Sequence, residues 1–225
     1  RRVAAEDGAT VGPERPRTPP PEPSMAVSLG EDPFRIPARP GALRVIEAVP
    51  DQLVTRALTL KPTVRDGAVV ADPGRDLIKL AVVERHTGSG RVGLALLRGM
   101  GLQAGALAGT VAHDHHNIIT AGVDDVSMRT AVQAVVEAGG GLAVARGRET
   151  MALLPLPVAG LMSPRPMEEI RTLLDQAVAA ARTLGSPLHD PFMALSFLGL
   201  EVIPALKLTD RGLVDVEAFR PVSLW

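Results

Sequence analysis

His113, Asp114, His115, His116 and Asn117 follow one another without interruption and include three of the chain's five histidines. No other stretch gathers so many groups able to move a proton, hold a metal or hydrogen-bond a polar ligand. On either side, residues 105–109 and 118–122 are small and apolar and read as buried strands. Imidazole and carboxylate groups at such a junction are costly unless partnered, so chemistry is sought there first. If strand alternation runs through the cluster, His113 and His115 share one face, and Asp114 and His116 the other. His-x-His at a strand end can set two imidazoles on a metal, which makes His113 and His115 the candidate metal pair. Two imidazoles alone make a weak site, and His86 and His189 have no local ligand partners. Lining or supporting a groove therefore outranks an independent metal centre.

A second polar segment, Glu84, Arg85 and His86 followed by Thr87, Gly88, Ser89 and Gly90, leaves the apolar run 76–83. Its glycines let backbone approach a ligand closely. It matches neither a Walker loop nor the dinucleotide fingerprint, so it is no phosphate cradle by itself. The bland alternative is a solvated loop with an Arg/Glu pair.

The elements that must position these residues follow from composition and pattern. Of the 225 residues, 46% are hydrophobic and only 2% aromatic, so the core must be built from Val, Leu, Ile, Ala and Met. A net charge of −1 gives no reason to expect a nucleic-acid or acidic-membrane surface. The absence of cysteine excludes disulfides and thiolate metal sites. Nothing approaches the apolar run that spans a bilayer, and the reading is of a soluble, cytoplasmic protein.

Residues 1–33 are rich in proline and arginine, with prolines at 13, 16, 19, 20, 21 and 23, and read as a linker or disordered tail. The sequence opens on Arg1, as expected of a processed product or a piece of a longer reading frame, with Met25 as an internal start. Residues 34–225 read as one globular domain. Strands are expected at 43–49 and 52–60 around a Pro50-Asp51 turn, and a hairpin at Asp66-Gly67. The run 76–83 reads as a central strand buried on both faces. A helix capped by Asp124 or Asp125, burying Met128, Ala131, Val132, Val135 and Val136, stops at Gly139-Gly140-Gly141. Another hairpin turns at Arg146-Gly147. A second helix is expected after a Ser163 cap, with Ile170, Leu173, Leu174, Ala177, Val178, Ala181 and Leu184 inward. Asp190 to Met193 read as a turn feeding a buried segment, and residues 155–163 as an apolar, proline-stiffened loop. The fold class is α+β: one mixed, largely antiparallel sheet packed with helices.

These motifs also carry a resemblance. Ala81 to His86 with Gly88 and Gly90, Val111 to Asn117, the three glycines 139–141, Leu154 to Ser163, Asp190 to Met193 and Leu206 to Asp215 occur in the order found in bacterial adenine deaminases. Together they span roughly residues 34–219, which resemble the carboxy-terminal domain of that family. The family pattern reads His-Asp-Ser-His-Asn, and His115 stands here in place of the serine. The resemblance implies a metal-dependent amidohydrolase: a TIM-type barrel whose binuclear manganese or iron site activates water. That water attacks C6 of adenine, and ammonia leaves to give hypoxanthine in purine salvage. No stretch here supplies eight βα units, so the barrel is implied as a partner, upstream or separate, along with adenine and a homo-oligomer. On this view His113, Asp114, His116 and Asn117, with Glu84, Arg85 and His86, face the barrel mouth. A stand-alone purine-binding module is the alternative. An independent metal hydrolase is disfavoured, since it needs about three protein ligands, an open position and a base.

Overall fold

Residues 78–83 decide the architecture, because a run that is apolar but for Lys79 has almost no face to offer water. In a computed structural model of the protein, residues 25–225 are described, together with the backbone of a short antiparallel pair, β1 (Ala5–Glu6) and β2 (Ala9–Thr10). Apart from that pair, the stretch to residue 24 read as linker or tail lies outside the described residues.

The strands that follow are β3 (Ile36–Pro37), β4 (Leu43–Ala48), β5 (Thr55–Leu60), β6 (Thr63–Arg65), β7 (Ala68–Val70), β8 (Ile78–Val83), β9 (Val92–Arg98), β10 (Ala106–Gly109) and β11 (Ile118–Gly122). Helix α1 (Asp125–Glu137) then leads to β12 (Gly141–Arg146) and β13 (Glu149–Pro155). Helices α2 (Met167–Thr183) and α3 (Pro191–Phe197) precede β14 (Leu206–Thr209), β15 (Gly212–Asp215) and β16 (Arg220–Val222). Eight strands form one sheet in the order β13-β12-β10-β11-β8-β9-β4-β5, antiparallel at every pairing except β4 with β9. Two three-stranded sheets, β3-β7-β6 and β14-β15-β16, complete an α+β fold.

Strand β8 lies inside the large sheet with every residue buried. Its alternation divides the core. Ile78, Leu80 and Val82 join the cluster under α2, α3 and β14, whereas Ala81 and Val83 join the one under α1. Bulk is unequal on the two sides. The α1 side is lined by Ala81, Ala106, Ala108, Ala143 and Ala145, which lets the helix lie close. Residues 25–33 run along this side too: Met25, Val27 and Leu29 pack against it, and the Ala26 N–H donates to the Arg85 carbonyl at 2.9 Å.

Helix α1 is capped by Asp124, whose carboxylate accepts the Ser127 N–H at 2.8 Å. It buries Met128, Ala131, Val132 and Val135, while Val136 is only half-buried. Helix α2 begins later than its Ser163 signal. Pro164 and Pro166 each push the preceding residue out of the helical region, so no turn can form before Pro166, which caps without a side-chain bond. Only Ala177 and Ala181 of its expected inward face are fully buried within the helix; Ile170, Leu173, Leu174 and Val178 pack partly buried, and Leu184 is its C-cap. Asp190 to Met193 form no simple turn but the start of α3, with the Asp190 carboxylate accepting the Met193 N–H at 2.9 Å. Among the described residues, no helix is long and apolar enough to cross a membrane.

Candidate functional site

The strands β10 and β11 are fully buried, as their composition requires, but the segment between them does not continue either one. Residues 113–115 form a turn, and His116 has φ 47°. The alternation that would put His113 and His115 on one face is therefore lost. A tight reversal at the sheet's end cannot keep the period of an extended strand.

The turn is held by its backbone. The His113 N–H donates to the Ser196 carbonyl at 3.2 Å and the His116 N–H to the Ala112 carbonyl at 2.7 Å. The His115 carbonyl accepts from His86 Nε2 at 2.9 Å, and the His116 carbonyl accepts from Arg85 Nε. Asn117, buried, is the hinge on the β11 side. Its Oδ1 accepts the Arg85 N–H at 3.3 Å, and its Nδ2 donates to Asp210 Oδ1 at 3.3 Å. Asp210, at the β14–β15 tip, also accepts from Arg91 Nε at 2.7 Å. A Cβ on Gly93 would sit 1.9 Å from the Thr209 carbonyl oxygen, so this hairpin tip is seated directly on β9.

Arg85 is the buried clamp. It is 2% exposed; besides the His116 carbonyl, its guanidinium reaches the Ala159 carbonyl at 2.9 Å. It lies so close to Gly160 that a Cβ there would come within 2.8 Å of its Nη2. Thr110 fixes the same loop, donating from Oγ1 to the Gly160 carbonyl at 2.6 Å. The proline-stiffened loop 155–163 thus belongs to the cluster. Gly140 shows the same closeness, since a Cβ on it would meet the Gly160 Cα at 2.4 Å; the glycine run is more than a helix stop.

Glu84 serves its own loop. Its carboxylate accepts the N–H groups of His86 (2.6 Å), Thr87 (2.8 Å) and Ser89 (3.1 Å), and the hydroxyls of Thr87 (2.7 Å) and Ser89 (2.8 Å). Burial opposes its ionisation, but these donors outweigh that and hold the carboxyl well below the usual carboxylate range. His86, exposed, is aimed at the turn by this loop.

His115 explains its own presence. Its Nδ1 accepts the Asn117 N–H at 3.1 Å, the i to i+2 bond that a serine hydroxyl makes in an ST turn. The larger ring reaches Gly199, where a Cβ would lie 2.8 Å from its Nε2. Burial lowers the pKa of both His115 and His116, in the second case helped by His113 and Arg85, so both rings are neutral at pH 7.

Among the described residues, one His115 nitrogen accepts from backbone and the other is buried without a hydrogen-bond partner, while the His113 ring packs 4.7 Å from that of Phe197. The side chains of His113, Asp114 and His116 make no hydrogen bond among the described residues, although the backbone around them is tied throughout. His113 and His116 are half-buried and Asp114 is exposed. Sequence reasoning missed Asp210, Phe197 and the 159–160 loop. Only the glycine at 160 hinted at close approach, and Asp210 and Phe197 lie 80 or more residues away in the sequence.

The family profile described as the adenine deaminase C-terminal domain matches residues 52–220. The chain is 52% identical over 223 residues to an adenine deaminase of Desulfatibacillum aliphaticivorans, covering 98% of this chain and 39% of that protein. It is 56% identical over 197 residues to one from Oleidesulfovibrio alaskensis, covering 88% of this chain and 35% of that protein. For one from Methanothrix thermoacetophila the identity is 46% over 223 residues, with 98% and 39% covered. The chain thus spans little more than a third of the length of these relatives.

Proposed function

This chain belongs to the adenine deaminase C-terminal domain family, and from that premise we propose that it completes the active site of an adenine deaminase whose catalytic barrel lies in the upstream part of the longer protein. One observation carries the reading. The backbone N–H groups of His113 and His116 are bonded, while the side chains of His113, Asp114 and His116 make no hydrogen bond among the described residues. A turn built only for folding would use the His113 and His116 rings internally, because half-buried polar side chains gain little by remaining unpaired.

The imidazoles at 113 and 116 can hydrogen-bond a purine edge, and the Asp114 carboxylate can accept from an exocyclic amino group. Their part is to bind and orient adenine and to keep water from the side of the site they cover. Hydrolysis to hypoxanthine and ammonia, the chemistry of purine salvage, would take place on the barrel. Manganese or iron would be bound there.

The test compares two proteins: the 225-residue chain alone, and the same chain joined to the upstream part of the Desulfatibacillum aliphaticivorans enzyme. With adenine and either metal supplied, the joined protein should release ammonia and the chain alone should not. Steady, metal-dependent ammonia release by the chain alone would sink the proposal. Adenine binding by the chain alone, with an inert joined protein, would favour the stand-alone binding module.

A further inference from the structure

We infer that the groove between α3 and the β4–β5 loop is the seat of the upstream part of the longer deaminase, filled by an apolar side chain flanked by a cationic one. This rests on the reading above and names the contact that would bring the turn to its partner. The groove encloses about 260 Å³ and is walled by Leu53, Leu188, Met193 and Phe197, with Asp51 and Asp190 along it. Leu53 and Met193 are 47% and 49% exposed, and no other leucine among the described residues is as open to solvent. Each of these side chains leaves about half its apolar surface in water, so two on one groove mark a surface built for covering.

The groove is preformed. Lys207, fully buried, donates from Nζ to the Leu53 carbonyl at 3.0 Å and the Phe197 carbonyl at 2.9 Å, which fixes both walls. It is also continuous with the turn. The Phe197 ring that walls the groove lies 4.7 Å from the His113 ring, and the neighbouring Ser196 carbonyl holds the His113 N–H. An occupant therefore presses on the residues that set His113.

Two facts choose the occupant. The matched region is the C-terminal domain, covering 39% of the Desulfatibacillum protein, so most of that chain precedes it and must share a face with it. The groove carries Asp51 and Asp190 and is lined by no lysine or arginine, which favours a Lys or Arg beside the inserted apolar group. A second copy of this chain, docking groove to groove, would set like charges against each other.

Because the sequence has no cysteine, Met193→Cys places a single thiol on the groove. Val126→Cys places one on α1, beyond the opposite face of the sheet, where Val126 is 47% exposed. Maleimide labelling is timed in the isolated chain and in the chain joined to the upstream part of the Desulfatibacillum enzyme. On joining, the thiol at 193 should label roughly tenfold more slowly or less, while that at 126 keeps its rate, because the centre of an interface excludes solvent. Equal rates at 193 in the two proteins overturn the inference. So does slowing in the isolated chain that grows with its concentration, which would assign the groove to a second copy. If the joined chain does not fold, hydroxyl-radical footprinting of the natural relative at the positions aligned with Leu53 and Met193 decides: protection supports the inference, full reactivity overturns it. Ammonia release separates the two claims. An active joined chain with a fast thiol at 193 sinks the docking alone, and an inactive one with a protected thiol sinks the functional reading alone.

Discussion

At one end of β11, Gly122 faces Ala106 and Met128, and a Cβ there would come within 2.6 Å and 2.7 Å of their side-chain carbons. At the other end, Asn117 joins Arg85 to Asp210 and takes part in a bond from its own N–H to His115. The first end fits by the absence of side-chain atoms, the second by the matching of donors and acceptors. The lesson concerns which changes each end tolerates. Volume should break the α1 side at Gly122, where the nearest side-chain atoms are the apolar carbons of Ala106 and Met128. Lost partners should break the polar end, where volume matters less, and the side chains left unpartnered at its tip should be nearly free to change.

The largest effect is expected from Gly122→Val, which forces atoms between β11 and α1 and should cost about 3 kcal/mol. Urea unfolding measures it, and a cost below about 1 kcal/mol would mean that α1 sits less tightly than the distances require.

Glu84→Gln should cost about 2 kcal/mol, since the neutral amide replaces a charged acceptor for five donors and turns one of its own donors toward them. The effect has a pH signature. Glu84 titrates below its unfolded value, so its contribution is full above about pH 4.3 and is lost as pH falls toward the folded value. Melting curves from pH 6 to 3 should fall more steeply for the natural chain than for the variant. Parallel curves would refute the assignment.

Lys207 gives a smaller effect, at the alkaline end of the pH range. Burial pushes its pKa down to about 8, so the folded state sheds a proton before the unfolded one does. Stability should therefore rise between about pH 8 and 10, and Lys207→Met should abolish the rise. With no tyrosine or cysteine and only three lysines in the sequence, little else titrates in that window. A flat alkaline profile in the natural chain would contradict this.

Much of the volume-governed part was legible from the sequence. The nearly apolar run 76–83 reads as a doubly buried strand, Asp66-Gly67 as a turn, and Asp124 or Asp125 before an apolar stripe as a helix cap. The polar end was legible as a cluster but not as a geometry. Periodicity says nothing of where a strand stops, so it does not separate a continued strand from the turn found at 113–115. Asp190-Pro191 did carry a helix signal, a cap followed by proline at the first position, which the short apolar segment after it obscured. The clamp from Arg85 to residues 116 and 159, and the parallel pairing of β4 with β9, depend on contacts far apart in sequence, which no local pattern encodes.

The smallest change to the fold and the largest to function should coincide in one variant, His113→Asn with His116→Asn. Neither side chain is hydrogen-bonded among the described residues, so the double change should cost no more than about 1 kcal/mol and lower the melting midpoint of the isolated chain by less than about 4 °C. In the chain joined to the upstream part of the Desulfatibacillum aliphaticivorans enzyme, the same variant should lower kcat/KM for adenine by roughly a hundredfold, the scale set by losing oriented contacts to the reacting molecule. Unchanged kcat/KM beside an unchanged melting midpoint would contradict the claim that this turn serves an active site.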